Sequence, residues 1–228
     1  MSEKAAPESK NAIPKIIHYI WVGENPFPAS ATACLASWRR LLPEYEFKLW
    51  NEANSPMEHH YVKAMYAQKK WAFVSDYIRF WALSREGGIY LDTDMEVFKN
   101  LDQFLTNDPG FVGCSKSGQI ESSIIGSVPG AAFVTEALRF YDEDRKYTIA
   151  ETSPLVLGRA MLAAPAPALV CYPHTYFHPC DEGEIGDPVL LNEAYARHHW
   201  AESWVPFASL RKVARRLGIM PILRRLFS

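Results

Sequence analysis

The segment Gly87–Val97 (GGIYLDTDMEV) carries acidic residues at every second position, namely Asp92, Asp94 and Glu96. The apolar residues of the segment alternate with them, which predicts a β-strand with all three acids on one face. Asp is a poor strand former, and carboxylates roughly 7 Å apart repel each other when partly desolvated. A divalent cation bound by Asp92 and Asp94 would turn this repulsion into attraction. The alternative is a solvated strand face, the usual meaning of an isolated Asp-x-Asp pattern.

Asp76 and Arg79 are spaced i, i+3 on a predicted helix, so their side chains share one face. The ordinary interpretation is an exposed intrahelical ion pair, which contributes a few tenths of a kcal/mol. The link from this helix to the acidic segment is the short run Arg85–Gly88. If that link folds the helix back along the strand, the ion pair approaches the strand acids.

An indole and two imidazoles complete the candidate set. Trp21 closes the first predicted strand, at the edge where parallel sheets bind ligands, and its ring can stack on a flat base. Core packing is the alternative for this residue. His198 and His199 are neighbours on a predicted strand, so at most one of them faces a given site. A carboxylate-bound metal accepts an imidazole as a further ligand, although a lone histidine is more often structural.

The elements that must position these residues alternate between strands and helices, which predicts an α/β fold with a mostly parallel sheet. The helix that contains Asp76 has the clearest 3.6-residue period and ends at Gly87 and Gly88. Strands are predicted at residues 13–23, 45–50, 87–97, 110–115, 119–127 and 168–177, and helices at 30–42, 57–70, 71–86, 131–141 and 154–162.

Composition supports a single folded domain with appendages. The chain has 228 residues, of which 48% are hydrophobic, enough to bury one sizeable core. The longest apolar stretch is short and interrupted by Pro165 and Pro167, so no membrane-spanning helix is predicted. Residues 1–12 are polar and are predicted to be a flexible leader.

The cysteines Cys34, Cys114, Cys171 and Cys180 show no C-x-x-C spacing. This argues against a zinc knuckle or a redox pair. We therefore expect four small buried hydrophobes in a reducing cytosol, and a cytoplasmic protein.

Residues 205–228 form a separate basic segment, because six Lys and Arg residues and no acid follow Glu202, in a chain of net charge −2. An acidic body with a basic tail argues against a nucleic-acid-binding core. Within residues 208–228 the apolar and basic side chains fall on opposite sides of a helix, which predicts binding to an anionic membrane surface on the inner face of the cytoplasmic membrane. The alternative is that this apolar face docks on the protein's own body or on a second subunit.

Three motifs occur in an order that is informative about the family: IPKIIHYIWVG, then SDYIRFWALSREGGIYLDTDMEV, then HHWAESW. Together they resemble the family 32 glycosyltransferases, a D-x-D sugar-transfer group that includes yeast-type mannosyltransferases, bacterial capsule and lipopolysaccharide enzymes and, more distantly, glucosylating toxins. The similarity is close over residues 13–100, looser through IESSIIGSVPG and TSPLVLGRAM, and close again at residues 195–204. Its central segment is far more specific than D-x-D alone.

The resemblance implies that residues 13–204 are a GT-A (Rossmann-like) domain, with a mixed, mostly parallel sheet flanked by helices. The implied reaction moves a hexose, with retention, from a nucleotide-diphosphate sugar to a glycan or lipid-linked acceptor, with Mn²⁺ or Mg²⁺ as cofactor. The family context points to capsule or lipopolysaccharide assembly.

The resemblance also assigns roles to the candidate residues around the donor. Trp21 matches the residue that stacks on the base, and Asp76 and Arg79 match the pair that holds the hydroxyls of the donor sugar. Asp92 matches the carboxylate that contacts the ribose and the sugar. Asp76, Arg79 and Asp92 are thus the expected catalytic set.

The metal and the diphosphate are assigned to later residues. Asp94 matches the direct metal ligand and His198 the histidine near the metal, while Ser203 and Trp204 match residues near the diphosphate. The cation would stabilise the leaving group as a Lewis acid.

The chain departs from the family pattern at two positions in the region that determines specificity for the donor sugar and the acceptor. This chain has Ser122 or Ser123 where the family often has Asn or a small residue, and Ser153 where it often has Gly.

Two other classes of function are weighed against a transferase. A haloacid-dehalogenase-like phosphohydrolase uses the first Asp of D-x-D as its nucleophile, but carries that motif on the first strand. A non-catalytic nucleotide-sugar binding module would tolerate loss of Asp94 or of the late histidine, and both are present.

Overall fold

The computed structural model describes residues 12–106, 108–142, 152–164, 169–181 and 184–201. Its strands are β1 Ile16–Ile20, β2 Glu46–Trp50, β3 Gly88–Leu91, β4 Met95–Val97, β5 Gly110–Cys114, β6 Ile120–Ser127, β7 Val170–Tyr172 and β8 Ala196–His198. Its α-helices are α1 Ala29–Leu41, α2 His60–Ala67, α3 Trp71–Glu86, α4 Ala132–Asp142, α5 Ser153–Ala163, α6 His174–Phe177 and α7 Pro188–Glu193, with a 3₁₀ turn at Asp102–Phe104. The predicted leader (apart from Ala12) and the basic segment 205–228 lie outside the described residues.

Six strands form one mixed sheet in the order β2-β1-β3-β6-β5-β7. β1 runs parallel to both β2 and β3, β6 is antiparallel to β3 and β5, and β7 is parallel to β5. The remaining strands, β4 and β8, form a separate antiparallel pair. The predicted α/β architecture with a mixed, mostly parallel sheet is confirmed.

Alternation along the strands divides the core into two layers, one on each face of the sheet. In β3, Ile89 and Leu91 pack into one apolar cluster while Tyr90 packs into the other. In β6, Ile124 and Ile125 divide in the same way. Central strands are therefore covered on both faces, as the near-continuous apolar runs of the sequence require. Among the described residues, no helix combines the length and the apolar composition that crossing a membrane requires.

The long helix α3 ends at a Gly-Gly link that returns the chain directly into β3. Gly87 and Gly88 have φ values of +63° and +96°, which L side chains rarely adopt. A Cβ on Gly87 would lie 2.6 Å from the Cδ of Pro129, and one on Gly88 would lie 2.7 Å from the carbonyl oxygen of Ile16. Only glycine fits both positions, so the short link fixes where α3 lies relative to β3.

The predicted continuous strand 87–97 is wrong. β3 ends at Leu91, and the chain turns, with the amide of Met95 donating to the carbonyl of Asp92 at 2.9 Å before β4 begins. Asp favours such turns over strands because its short polar side chain competes for local backbone groups. Asp92 and Asp94 therefore belong to a turn, and Glu96 belongs to a different sheet.

The expectation of four free cysteines is also wrong. Cys114 and Cys171 form a disulfide between the neighbouring strands β5 and β7, while Cys34 and Cys180 are free and buried, as predicted. The two bonded residues are 57 positions apart in the sequence, and the parallel pairing of β5 with β7 brings their Cα atoms to 6.5 Å. No local spacing pattern reveals such a contact.

Candidate functional site

Asp92, Asp94 and His198 converge at one point beside the end of β3. One ligand atom from each lies within 4.8 Å of the others. The Nε2 of His198 is 3.2 Å from an oxygen of Asp94 and 4.0 Å from one of Asp92. The turn after β3 supplies the carboxylates, and the pairing of β4 with β8, which sets Met95 opposite His198, supplies the imidazole. The second histidine, His199, points away and contacts Glu96 at 2.9 Å.

Asp94 is held by the backbone that follows β8. The amide of Ala201 donates to Oδ2 of Asp94 at 2.6 Å, and the amide of His199 donates to its carbonyl oxygen at 3.0 Å. Burial would raise the pKa of the Asp94 carboxyl, but the charge of His198 and hydrogen bonds from His198 and the Ala201 amide lower it to about 2. Burial would likewise lower the pKa of His198, yet Asp94 raises it. The two side chains therefore form an ion pair when no cation lies between them.

The donor set suits a divalent cation. Two carboxylate oxygens and one imidazole nitrogen, close together and half-buried or buried, are ligands that Mn²⁺ accepts, and Mg²⁺ shares the preference for the carboxylates. A cation would take the place of the proton on the Nε2 of His198, because metal-binding histidines are neutral. The residues present thus fit the metal site that the resemblance implies.

The Asp76–Arg79 pair is buried, so the alternative of an ordinary exposed ion pair is wrong. Nη2 of Arg79 lies 2.9 Å from Oδ1 of Asp76, and the side chains are only 5% and 9% exposed. Because the Gly-Gly link folds α3 back along β3, Nη1 of Arg79 also reaches to 3.6 Å from Oδ1 of Asp92. The ion pair and the Asp-x-Asp turn form one site.

Ser122 and Ser153 complete the surroundings of this pair. Arg79 donates to the carbonyl and the hydroxyl oxygen of Ser122 at 2.9 and 3.1 Å. The two serine hydroxyls lie 2.8 Å apart, and the amide of Ser153 donates to Asp76 at 3.2 Å. That amide begins α5, whose N-terminal dipole favours a carboxylate. Burial raises the pKa of the Asp76 carboxyl, and the charge of Arg79 opposes this shift. The two positions that depart from the family pattern therefore touch the candidate sugar-holding pair directly.

Tyr90 is a site residue to which the sequence analysis gave no role. Its hydroxyl donates to Oδ1 of Asp92 at 2.5 Å, and the guanidinium of Arg79 lies 4.6 Å from its ring centroid. The signal was present in the sequence, because strand alternation puts Tyr90 on the same side of the chain as Asp92.

His178 and Ser123 form a second pair that the sequence did not reveal. Nε2 of His178 lies 2.7 Å from the hydroxyl of Ser123, whose carbonyl accepts the amide of Asp92 at 2.8 Å. Burial lowers the pKa of His178 to about 3, so the ring is neutral. His178 follows α6, far from β6 in sequence, and no local pattern links it to the site.

Trp21 lies at the carboxyl end of β1, half-buried. Its ring stacks on Phe27 with centroids 4.6 Å apart, and its indole N–H donates to the carbonyl of Asn25 at 2.7 Å. One face of the indole is thus supported by the loop after β1. Ser203 and Trp204 lie outside the described residues.

The family resemblance is confirmed by comparison with known proteins. Residues 28–110 match the model of a family described as a glycosyltransferase sugar-binding region containing a DXD motif. Inositol phosphoceramide mannosyltransferase 3 of Schizosaccharomyces pombe is 29% identical over 133 residues, which are 56% of this chain and 37% of that protein. Mannosyl phosphorylinositol ceramide synthase SUR1 of Saccharomyces cerevisiae is 28% identical over 168 residues, which are 67% of this chain and 43% of that protein. The chain thus spans about two fifths of the length of these yeast relatives, 37% and 43%.

A viral relative matches over most of its length. The protein named Uncharacterized glycosyltransferase L373, of Acanthamoeba polyphaga mimivirus, is 24% identical over 219 residues, 88% of this chain and 87% of that protein. Among solved structures, PaToxG glycosyltransferase has a TM-score of 0.55 and 18% identity, over 67% of this chain and 70% of that chain. A glycosyltransferase involved in glycosylation of the major capsid of PBCV-1 has a TM-score of 0.56 and 12% identity, over 88% and 99%. At these identities the likeness shows the fold, which is that of a GT-A glycosyltransferase.

Proposed function

We propose that the protein is a metal-dependent, retaining glycosyltransferase that moves a hexose from a nucleotide-diphosphate sugar to a glycan or lipid-linked acceptor. The observation that carries this proposal is that Asp92, Asp94 and His198 meet within 4.8 Å of one another beside the buried Asp76–Arg79 pair. A cation-binding set and a hydroxyl-binding pair are thereby adjacent, as a diphosphate joined to a sugar requires.

Different residues of the site bind the cation and the donor sugar. Asp94 and His198 hold Mn²⁺ or Mg²⁺, which when bound supplies a Lewis acid for the departing diphosphate. Asp76 and Arg79 hold the donor sugar, since a carboxylate accepts hydrogen bonds from hydroxyls and a guanidinium donates to them. Asp92 lies between the two groups, with one oxygen toward Tyr90 and the other toward His198.

The electrostatics of the site suit cleavage of a sugar–phosphate bond. This cleavage gives the sugar oxocarbenium character, and preorganised carboxylates in a buried site stabilise such positive charge. Asp76 and Asp92 are fixed by Arg79, Ser153 and Tyr90 and need little reorganisation as the charge develops. Trp21 is proposed to stack on the base, and Ser203 and Trp204 to bind near the diphosphate.

The acceptor and the cellular setting are proposed from relatives and sequence. The yeast relatives are named for mannosyl transfer to inositol phosphoceramide, which supports a lipid-linked acceptor and mannose as one donor sugar to test.

Capsule or lipopolysaccharide assembly remains the proposed pathway. Residues 208–228 are proposed to hold the protein at an anionic membrane surface facing the cytoplasm, with about 1 kcal/mol from each surface-near basic residue. The acidic body argues against nucleic acid as a partner.

A phosphohydrolase agrees less well with the same residues. A haloacid-dehalogenase-like enzyme would need Asp92 as a free nucleophile. Here Asp92 accepts from Tyr90, and its motif follows the third strand instead of the first.

A panel of UDP- and GDP-sugars, incubated with Mn²⁺, with Mg²⁺ and with excess chelator, tests the proposal. A transferase releases nucleoside diphosphate from one donor only when a cation is present. In a parallel incubation with phosphomonoesters, a phosphohydrolase would release inorganic phosphate, and a binding module would bind the donor with no release. Either of the last two results would overturn the proposal.

A further inference from the structure

We propose that Trp200 is a positioning residue that fixes both His198 and Asp94, and this inference rests on the metal-binding role proposed above. The indole of Trp200 lies against the imidazole of His198, with ring centroids 4.1 Å apart and planes inclined by 39°. His198 is only 9% exposed, so the indole forms part of the wall that encloses it.

The second nitrogen of His198 explains why an aromatic contact is needed. A metal-binding histidine normally donates its other ring N–H to a carboxylate or a carbonyl, which fixes the orientation of the ring. The Nδ1 of His198 is buried and has no hydrogen-bond partner in the part of the chain that the structure describes. Asp94 orients the ring through Nε2 alone. The rest of its orientation comes from packing, in which Trp200 supplies a closer ring contact than His178, at 4.1 Å against 6.1 Å between centroids.

The backbone of Trp200 acts on Asp94. Its φ is +51°, in the left-handed region that bulky residues rarely adopt, and such strain persists only where neighbouring contacts impose it. Two hydrogen bonds bracket the residue: the amide of His199 donates to the carbonyl of Asp94, and the amide of Ala201 donates to its carboxylate. The left-handed turn directs the Ala201 amide back to Asp94, which an extended strand would not do.

Three substitutions separate the ring from the backbone. Trp200→Phe keeps an aromatic ring against His198. Trp200→Leu keeps apolar volume without a ring, and Trp200→Gly removes the side chain while relieving the positive φ. Trp81→Phe is the matched control, because Trp81 packs edge-on against Trp50 in another part of the core.

Two measurements on the full chain are made for each variant. Without metal, nuclear Overhauser contacts between the His198 ring and the His178 ring, whose centroids are 6.1 Å apart, report the orientation of the imidazole. The His198 signals are assigned by their loss in His198→Gln. With metal, calorimetric titration with Mn²⁺ alone gives the dissociation constant. In Trp200→Leu and Trp200→Gly we expect the contacts between His198 and His178 to weaken, and the dissociation constant for Mn²⁺ to rise about tenfold or more. Trp200→Phe should bind Mn²⁺ nearly as tightly as wild type. The control Trp81→Phe should bind Mn²⁺ with wild-type affinity.

The outcomes distinguish this inference from the proposed function. Wild-type affinity for Mn²⁺ in Trp200→Leu and Trp200→Gly, or unchanged contacts between His198 and His178 in both, overturns the positioning role. If wild type takes up no Mn²⁺ at all, the metal-binding role is wrong, whereas the metal-free contacts between His198 and His178 still decide whether Trp200 orients the imidazole.

Discussion

Arg79 of helix α3 lies 3.6 Å from Asp92 in the turn after β3, so the ion pair of the helix and the carboxylates of the turn form one polar network. Through Asp92 the network continues to His198, whose Nε2 is 4.0 Å from the other carboxylate oxygen. A change at the sugar-holding end is therefore expected to affect the cation-binding end, because both share Asp92.

Asp94→Asn should reduce transfer by at least about a hundredfold, because the amide is a weak ligand for a hard cation and leaves His198 without its charged partner. In wild type, Mn²⁺ should raise the melting temperature, since a ligand that binds only the folded state stabilises it. That rise should be absent in the variant. Turnover that survives in Asp94→Asn, or in wild type with excess chelator, would contradict the role of Asp94.

Arg79→Lys should lower both kcat/KM and stability. Lys keeps the positive charge but cannot reproduce the forked contacts with Asp76 and Ser122. Buried acceptors that lose their hydrogen-bond donor cost about 1–3 kcal/mol. Arg139→Lys is the matched control, because Arg139 and Glu136 form an i, i+3 pair in which Arg139 is 67% exposed. Thermal unfolding and donor affinity are measured for both variants.

The donor binding of Arg79→Lys separates its role at the site from its role in folding. Affinity for the nucleotide sugar should fall more than affinity for the free nucleoside diphosphate, because only the former contains the sugar. An equal loss of both affinities in folded protein would argue against a sugar contact.

Acidification should destabilise the protein through His18. This ring is fully buried; its Nε2 lies 2.7 Å from the carbonyl of Gly87, and its Nδ1 accepts the indole N–H of Trp50 at 3.0 Å. Both nitrogens are used by the neutral form, and burial lowers the pKa of His18 below its ordinary value of 6.5. The folded state therefore binds fewer protons than the unfolded state below about pH 6.5, and stability falls as the pH decreases through that range.

His18→Gln cannot take up a proton, so its stability should depend less on pH between about 7 and 5 than that of wild type. Urea unfolding at several pH values gives the two slopes. Identical slopes would mean that His18 contributes nothing to the acid sensitivity.

The sequence predicted those parts of the fold and site that depend on local patterns. The period of α3 placed Asp76 and Arg79 on one helix face, and the short Gly-Gly link allowed that helix to return along β3. Alternation allowed only one of the two late histidines to face a given site, and the family resemblance assigned His198 to the metal. The sequence-based predictions were wrong where two local structures compete for the same residues, or where the contact partners are far apart in the sequence. Asp92 and Asp94 favoured a turn over the strand that alternation predicted, and the burial of the Asp76–Arg79 pair depends on Ser122 and α5, which arrive from later in the chain.

Contacts between segments far apart in sequence left no local signal at all. The pairing of His178 with Ser123 depends on β7 and α6 reaching the sheet beside β5. The same arrangement joins Cys114 to Cys171, and neither contact follows from residue spacing.

Reduction of the Cys114–Cys171 bond should lower the melting temperature of the protein. The bond closes a span of 57 residues, and the chain-entropy estimate for a loop of that length is about 4 kcal/mol of stability. β7 has only three residues at the edge of the sheet, so the covalent link secures the strand that leads to α6 and His178. Looser anchoring of His178 should weaken its hydrogen bond to Ser123, and transfer should fall with stability. Cys171→Ser should reproduce the effect of a thiol reductant and then be insensitive to it, whereas Cys34→Ser should keep the full response to the reductant.

Alkylation followed by mass measurement counts the free thiols. If all four cysteines react in protein taken directly from cells, the bond does not form there, as expected for a reducing cytosol; if two are protected, the proposed cytoplasmic location is wrong.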